Sequence, residues 1–359
     1  MLRFIGRRIY YGVFVLIGVV TLVFFLFNIL PGDPARMMLG QRADMASVEA
    51  INRELGLDKP VYEQYLKFVN DLSPLSFHNM SDKKGLWYPD STKYAPFISL
   101  AEIGKTKVVL KLPYLGRSYQ SKRKVSEILA QAFPNTMLLA TVSMGFAVII
   151  SLIIGVASAI RKDSFFDRAS LFIAVLGMSL PSFFAAILMA WLFAYVLADY
   201  TGLSMFGSLY SVDDFGCGEY LDLKNIILPA ITLGIRPLAI IIELTRSSML
   251  EVLSQDYIRT AHSKGLSERR VILKHGLRNA LNPIVTTVSG WFASLMAGAV
   301  FVEYIFDWKG IGVVIVDGLE KYDFPVVMGA VLFIAVLLVI INIFVDIIYA
   351  WLDPRVKLA

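Results

Sequence analysis

The chain has 359 residues, of which 57% are hydrophobic and only 18% are charged, and its mean hydropathy is +0.64. Soluble globular proteins are about 45–50% apolar even when glycine is counted, and about 25% of their residues are charged. These values exclude a soluble two-domain enzyme and indicate an integral membrane protein. A single cysteine, Cys217, excludes an internal disulfide framework and a cysteine-rich metal site.

Six apolar stretches are long enough to cross a membrane, which takes about 20 residues of helix. The first stretch could belong to a cleaved signal peptide, because Arg3, Arg7 and Arg8 precede it. A signal peptide has an apolar region of only about 7–15 residues, so we expect an uncleaved span. In chain order the predicted spans are 9–31, 128–160, 169–198, 225–242, 279–302 and 324–345.

The distribution of Lys and Arg predicts the side of the membrane that each loop occupies. Fifteen of them lie in the N-terminal segment, the 161–168 turn, the 246–278 segment and the tail, whereas three lie in the short loops on the other side. Because short cytoplasmic loops are rich in Lys and Arg, both termini are predicted to be cytoplasmic. The net charge of +5 therefore reflects topology, and we expect a lipid bilayer and no nucleic acid as partner.

The long segment 31–131 is predicted to lie outside the cytoplasm as a small ordered cap. Pro60, followed by apolar residues at helical spacing, predicts an amphipathic helix, and residues 47–55 predict a shorter one. Residues 107–112 are typical of a strand. The segment therefore predicts a cap that combines helix and strand.

No segment carries a motif typical of covalent catalysis or metal binding, since G-x-S-x-G, H-E-x-x-H and Cys/His clusters are absent. The stretch 104–106 resembles the end of a phosphate-binding loop, but Ser99 stands where that loop needs its first glycine, so we expect a turn between strands. His78, His262 and His275 lie in polar segments and are expected to be solvated. We therefore predict no catalytic residue, no metal site and no cofactor in this chain.

One predicted span contains a charge, Arg236, roughly 15 Å from its outer end at 1.5 Å per residue. A charge at this depth normally faces a cavity or a partner. One interpretation is that Arg236 lines a pathway and meets a substrate carboxylate, with Glu243 nearer the inner gate. The other is that Arg236 pairs within the bundle or snorkels outward, while Glu243 pairs with Arg246. Pro237 is expected to open the helix locally.

The segment 251–280 is too organised to be a simple turn. Residues 255–264 can form a short helix, and Gly265 stands where a left-handed residue would end it. Ser267 is a candidate N-cap for the next helix, with Glu268 in its first turn. The pattern predicts two helices joined by a glycine turn at the membrane face, which either anchors a basic loop or binds a cytoplasmic partner.

Several motifs resemble one family of transporters when they are taken in order. Residues 257–270 and 278–283 resemble the EAA loop of ATP-binding-cassette importer permeases, and in particular the first permease subunit of the dipeptide, oligopeptide and nickel family. Arg259 and Arg278 depart from the general EAA pattern, although this subfamily commonly shows both changes. Further motifs cover nearly the whole chain except 73–113, and they lie at 30–34, 56–60, 64–66, 116–119, 134–136, 306–312, 322–327 and 352–355.

The resemblance implies the type I importer permease fold, an all-α membrane protein of six spans with a small external α+β cap. Span one would end at residue 30, the cap would cover 31–131 with an insertion over 73–113, the core would cover 132–350, and a cytoplasmic tail would cover 351–359. It also implies a bacterial cytoplasmic membrane, a second homologous permease, two ATPases that bind ATP and Mg, and an external solute-binding protein. The implied ATPase contacts are Tyr257, Arg259, Thr260, Ala261, Lys264, Gly265, Leu266 and Ser267.

The resemblance leaves the transported solute open. A di- or oligopeptide is the expected cargo, because the spans contain no histidine or cysteine that would hold a metal. A nickel chelate or another small solute is the alternative within the family. In a different class, a secondary transporter driven by an ion gradient would need intramembrane carboxylates and paired repeats.

Overall fold

The computed structural model describes residues 2–29, 45, 48–49, 52–53, 56–79, 87–88, 94, 97–212 and 218–352. Cys217, the 30–34 motif, most of the helix predicted over 47–55 and most of the tail lie outside these residues. The chain divides into two compact units. The first comprises Met1–Arg8, Ala132–Val313 and Leu337–Ala359, and the second comprises Ile9–Gln131 and Val314–Val336. The domain boundaries expected from the sequence stay predictions.

Helices make up most of the described chain, and short strands interrupt them in two places. The helices are α1 (Leu2–Ile29), α2 (Val61–Leu72), α3 (Val125–Ile160), α4 (Phe165–Ser179), α5 (Ser182–Trp191), α6 (Ala198–Thr201), α7 (Ile227–Leu253), α8 (Asp256–Ser263), α9 (Glu268–Arg270), α10 (Arg278–Gly298), α11 (Val300–Ile305), α12 (Ile311–Glu320) and α13 (Phe324–Leu352). A π-helix, Leu192–Val196, extends α5; a second, Val271–Leu277, joins α9 to α10; and a 3-10 turn, Leu223–Ile226, precedes α7.

Strands β1 (Leu75–Asn79), β2 (Ile98–Ile103) and β3 (Thr106–Leu110) form an antiparallel sheet in the order β1-β3-β2. The predicted strand is confirmed over 107–110, and the predicted turn before it has Gly104 at φ +62. A smaller antiparallel pair joins β4 (Tyr210–Val212) to β5 (Glu219–Leu221).

Among the described residues, four helical stretches are long and apolar enough to span a membrane: Gly6–Asn28, Val125–Ile160, Leu223–Leu253 and Phe324–Ile347. The bent pair α4 and α5 makes a fifth if it counts as one span. The span predicted over 279–302 corresponds to α10, which is not in this set and which carries a row of exposed polar residues described below. The count of six therefore stays a prediction.

The span predicted over 169–198 is not one continuous helix. Its two halves, Phe165–Ser179 and Ser182–Val196, meet at an angle of 110°. Leu180 is extended, with φ −76 and ψ 127, because the ring of Pro181 disfavours a helical conformation in the preceding residue. Pro237 behaves differently: α7 continues through it from Ile227 to Leu253, and the local opening expected at this residue stays a prediction.

Small residues form much of the interior of the first unit. Ala140, Ala147, Ala186 and Ala190 are all fully buried, whereas Phe172 is 66% exposed. Buried alanines and outward-facing large side chains are typical of membrane helices, where small residues allow close packing and lipid covers the large side chains on the outside. A few large residues, such as Phe306, are also buried in this unit.

Two of the motifs that carry the family resemblance meet in the first unit. Glu303 is fully buried, and its carboxylate accepts hydrogen bonds from the hydroxyl of Thr136 at 2.7 Å and from the N–H of Gly312 at 2.6 Å. The indole of Trp308, also fully buried, donates to the carbonyl of Asn135 at 2.9 Å. These contacts hold the start of α12 against α3, so the motifs at 134–136 and 306–312 are joined by hydrogen bonds.

Two ion pairs connect distant helices of the first unit. Arg8 donates to Asp346 at 3.0 Å and so links the start of α1 to the end of α13. Asp167 is 1% exposed, and its carboxylate accepts hydrogen bonds from Nε of Arg246 at 2.5 Å and from a terminal nitrogen of Arg246 at 2.7 Å. This pair links α4 to α7. Because Arg246 is held by Asp167, the alternative in which it pairs with Glu243 is wrong.

In the second unit, the polar side of α2 packs on the sheet. The side-chain amide of Asn70 accepts from the N–H of Phe77 at 2.7 Å and donates to its carbonyl at 3.1 Å. Lys67 and the hydroxyl of Tyr94 each donate to the carboxylate of Asp71 at 2.7 Å. This polar cluster fixes the helix against β1.

His78 lies inside the same cluster, so the expectation of a solvated histidine is wrong. It is 1% exposed, with Nε2 at 3.0 Å from the Ser76 hydroxyl and Nδ1 at 3.3 Å from the carbonyl of Trp87. Burial and the nearby positive charge of Lys67 lower the pKa of His78 to about 4. Desolvation likewise lowers the pKa of Lys111 to about 8. The alternation of β1, which sends Ser76 and His78 to its buried face, explains why His78 is neutral and enclosed.

We expect Asp167→Ala to lower the free energy of unfolding by about 2–3 kcal/mol, because it leaves a partly buried guanidinium without its partner. The thermal unfolding midpoint is measured for the purified chain in nanodiscs. Comparison of the wild type, Asp167→Ala, Arg246→Ala and the double variant gives the interaction energy between Asp167 and Arg246. Lys162→Ala, an exposed charge of the neighbouring turn, is the control. Equal shifts for Asp167→Ala and the control would contradict the proposed link.

We expect the β1–β3 sheet to lose stability as the pH falls from about 6.5 to about 4, because the unfolded state binds a proton at His78 in this window and the folded state does not. Hydrogen exchange of the β1 and β3 amides in the full-length chain, expressed as protection factors, measures the effect. In His78→Gln, which does not titrate, the pH dependence should be smaller than in the wild type. An identical dependence in both proteins would show that other groups cause it.

Candidate functional site

The turn after α8 has the geometry of a Schellman C-cap. Gly265 adopts φ +72, its N–H donates to the carbonyl of His262 at 2.9 Å, and the N–H of Leu266 donates to the carbonyl of Ala261 at 3.4 Å. This pair of bonds satisfies carbonyls that the helix end would otherwise leave unpaired. The helix stop predicted at Gly265 is therefore confirmed.

Apolar side chains fix this turn to the body of the first unit. Ile258, Ala261 and Val271 are 3%, 6% and 0% exposed, and they pack with Leu253 and Leu266. Ala261 and Leu266, two of the residues assigned to the ATPase by resemblance, thus face the chain itself. We call α8 together with residues 264–267 the α8 corner.

The outer surface of the α8 corner carries the remaining candidate residues. The side chain of Arg259 is 80% exposed and lies 3.6 Å from Asp256. Tyr257 is 42% exposed, and its hydroxyl accepts a hydrogen bond from the Asn279 amide at 3.0 Å, which ties α8 to the first turn of α10. The other exposed candidates are Thr260, Lys264, Gly265 and Ser267.

Ser267 occupies the N-cap position of α9 but acts through its backbone alone. Its φ and ψ are −59 and 144, and its side chain forms no capping hydrogen bond. After Arg270 the chain continues as the π-helix into α10. Sequence reasoning missed this π-helix, because a wider turn has no clear residue signature.

A row of exposed polar residues follows one face of each of two neighbouring helices in the first unit. On α7 the row begins at Arg236, and Glu243 lies about 10.5 Å further along the axis on nearly the same face. Among the described residues, the side chains of Arg236 and Glu243 have no ion-pair or hydrogen-bond partner. The rows comprise Arg236, Glu243, Ser247 and Glu251 on α7, and Asn279, Asn282, Thr286 and Ser294 on α10.

These rows are unsuited to contact with lipid tails. An exposed guanidinium inside an apolar helix is expensive in hydrocarbon and normally faces protein or a water-filled cavity. In the described part of the chain, no group of three or more His, Cys, Asp or Glu side chains could hold a metal ion. The exposed charged and amide side chains of the two rows are suited to bind a polar solute or a second protein surface through charge and hydrogen bonds.

Comparison with known families matches both parts of the chain. Residues 147–358 match the binding-protein-dependent transport system inner membrane component, and residues 1–80 match the N-terminal part of a membrane component of the same kind of system. The first match includes the α8 corner and both polar rows.

Curated relatives match over 99% of this chain and 99% of their own length. They include the di/tripeptide transport system permease protein DppB of Pseudomonas aeruginosa (35% identity), the dipeptide transport system permease protein DppB of Escherichia coli K12 (34%) and the glutathione transport system permease protein GsiC of Pectobacterium atrosepticum (34%).

The solved inward-facing MetNI methionine ABC transporter contains a chain with the same fold. It superposes with a TM-score of 0.50 and 16% identity over 64% of this chain and 97% of that chain. This likeness identifies the type I importer permease fold, and the family match and the curated relatives identify the family. The chain therefore belongs to the family of inner membrane components of binding-protein-dependent transport systems.

Proposed function

We propose that this chain is one of two homologous permease subunits of an ATP-driven importer for di- and oligopeptides in a bacterial cytoplasmic membrane. The observation that carries the proposal is the 34–35% identity, over nearly the full chain, to permeases of dipeptide and di/tripeptide systems. The glutathione permeases match at similar identity, and glutathione is itself a short peptide with free carboxylates.

The proposed orientation places both termini in the cytoplasm. The Arg8–Asp346 pair supports it, because this contact brings the start of α1 and the end of α13 together. The excess of Lys and Arg in the corresponding loops supports the cytoplasmic side. In this orientation the α8 corner also lies in the cytoplasm.

The α8 corner is proposed to bind a partner ATPase. Its exposed surface carries Tyr257, Arg259, Thr260 and Lys264, while its apolar side is anchored in the first unit. ATP and Mg bind the two ATPases and no cofactor binds this chain. A rigid corner transmits movement of the ATPases to α7 and α10, since each conformation of the permease binds the ATP-loaded pair with a different affinity.

The polar rows of α7 and α10 are proposed to face the second permease and the solute pathway between the two subunits. Arg236 supplies a positive charge for a peptide carboxylate, and Glu243 lies nearer the cytoplasm. An external binding protein delivers the peptide. The dipeptide permeases among the curated relatives support a peptide rather than a nickel chelate, and the match to binding-protein-dependent transport supports ATP rather than an ion gradient as the energy source.

Reconstitution of the complete importer tests the proposed function. The chain, its second permease, both ATPases and the loaded binding protein are placed in proteoliposomes with ATP inside. We expect dipeptide uptake that vanadate abolishes and an ionophore leaves unchanged. Uptake that needs an ion gradient and no ATP would overturn the proposal.

We expect Gly265→Ala to weaken the α8 corner by about 1–2 kcal/mol, because an L-residue strains at positive φ. The added Cβ meets no atom within 4 Å, so the cost is conformational rather than steric. Gly265→Asn is the matched control, since Asn tolerates this conformation. Amide exchange at residues 261–266 and peptide-stimulated ATPase activity of the reconstituted complex measure the loss. Wild-type values for Gly265→Ala would refute the proposed role of the corner.

We expect Arg236→Leu to abolish peptide uptake while the complex still assembles and hydrolyses ATP, because the carboxylate loses its cation. Arg236→Lys keeps the charge and should retain part of the activity. Uptake by proteoliposomes and co-purification of the ATPases separate transport from assembly. Unchanged uptake in Arg236→Leu would exclude Arg236 from the pathway.

A further inference from the structure

Helix α2 has its polar and apolar faces arranged opposite to those of a helix in a soluble domain. Its one buried residue is the polar Asn70. Lys67, Asn70 and Asp71 form hydrogen bonds in the polar cluster that fixes α2 against the sheet. Its apolar residues cover an arc of about 160° at 3.6 residues per turn. Of these, Val61 is 47%, Tyr62 69%, Leu66 53% and Val69 37% exposed.

Contacts with α1 set the depth of α2. The ring of Tyr65 lies 5.3 Å from that of Phe24 and stacks on Phe25 at 5.9 Å, and Phe68 lies 5.5 Å from Phe24. All of these α1 residues precede Asn28, where the apolar stretch of α1 ends. At 1.5 Å per residue, Thr21 to Phe25 lie about 5–10 Å inside that end.

The hydroxyl of Tyr65 indicates the same apolar surroundings. It lies 2.7 Å from the hydroxyl of Thr21, whose own hydrogen bond goes to the carbonyl of Ile17 at 2.7 Å. A tyrosine at an aqueous surface needs no protein partner, whereas one in hydrocarbon does. The α1 residues beside this contact expose apolar side chains of their own, with Leu22 at 63% and Leu26 at 49%.

We propose that α2 is an interfacial helix whose outer face, formed by Tyr62, Leu66 and Val69, lies in the lipid leaflet at the C-terminal end of α1. Lipid is the occupant because the exposed face of α2 continues the exposed apolar surface of α1, a predicted span, at a depth of about 5–10 Å, which is that of amphipathic helices in membrane interfaces. Tyr62 also suits this position, since tyrosine is enriched at the level of the headgroups.

This proposal concerns how the segment after α1 meets the membrane and does not depend on the transported solute. In the orientation proposed above, the leaflet is the outer one. The helix would hold the β1–β3 sheet at the membrane surface, because Asn70 and Asp71 bind the sheet from the opposite side of α2.

Spin labelling in lipid nanodiscs tests the proposal. Leu66→Cys is made in a Cys217→Ser background, labelled with a nitroxide and assembled with the other subunits in nanodiscs of phosphatidylethanolamine and phosphatidylglycerol. Collision rates with oxygen, which partitions into lipid, and with a nickel chelate, which stays in water, are measured. Lys105→Cys, in the exposed turn between β2 and β3, is the aqueous control.

We expect the label at residue 66 to collide more with oxygen than with the nickel chelate, and the label at residue 105 to show the reverse order. Tyr62→Cys and Val69→Cys report on the same face if Leu66→Cys does not assemble. A nickel-dominated profile at these positions would place the face in water and overturn the proposal. Protection from both reagents would mean that a protein subunit covers the face, and would overturn it equally. The same collision rates are also measured on the chain alone in nanodiscs. If the subunits do not form a complex, these rates still show whether the α2 face lies in lipid, so failure of the importer is distinguished from failure of this proposal.

Discussion

The low polarity of the lipid bilayer is the constraint on which the rest of this structure depends. Backbone groups in hydrocarbon must bond within their own segment, which selects long helices such as α1, α3 and α13. Because lipid covers large apolar side chains, helix contacts are made by small ones such as Ala140 and Ala186. Asp167, which is buried at the contact between α4 and α7, is paired with Arg246. The polar residues that remain exposed on these helices are therefore informative about function.

The α8 corner combines a locally encoded turn with an anchor that tertiary packing supplies. The positive φ of Gly265 and the two hydrogen bonds of the C-cap depend on residues close in sequence. Its packing partners are Val271 and Leu253, which belong to the helices on either side. A corner built in this way can present Arg259 and Lys264 to a partner while its own geometry stays fixed. This combination suits a part that transmits force between subunits.

The same constraint explains why two kinds of surface coexist on the chain. The exposed polar rows of α7 and α10 would be costly in lipid, which points to a protein or solute partner. The exposed apolar face of α2 would be costly in water, which points to lipid. On the isolated chain, each surface is exposed to a solvent that does not suit it. In a membrane beside its partners, the polar rows would contact protein or solute and the apolar face would contact lipid.

Hydropathy and local turn chemistry were sufficient to predict the membrane class, the apolar spans near 9–31, 128–160 and 324–345, the amphipathic helix after Pro60 and the stop at Gly265. These features depend on interactions within one segment or between a segment and its solvent. The effect of individual prolines could not be predicted, since Pro181 ends a helix while Pro237 lies inside one. Whether a proline bends a membrane helix depends on the packing of neighbouring helices.

The sequence by itself thus determined the membrane class and the family of the chain, because hydropathy and short motifs depend on residues close together in the chain. Only the tertiary structure showed that His78 is enclosed beneath a sheet, that Arg246 binds Asp167 rather than Glu243, and that α2 turns its apolar face outward. These contacts join residues far apart in the chain, and a periodic pattern reports which face of a helix is apolar but not what lies against it.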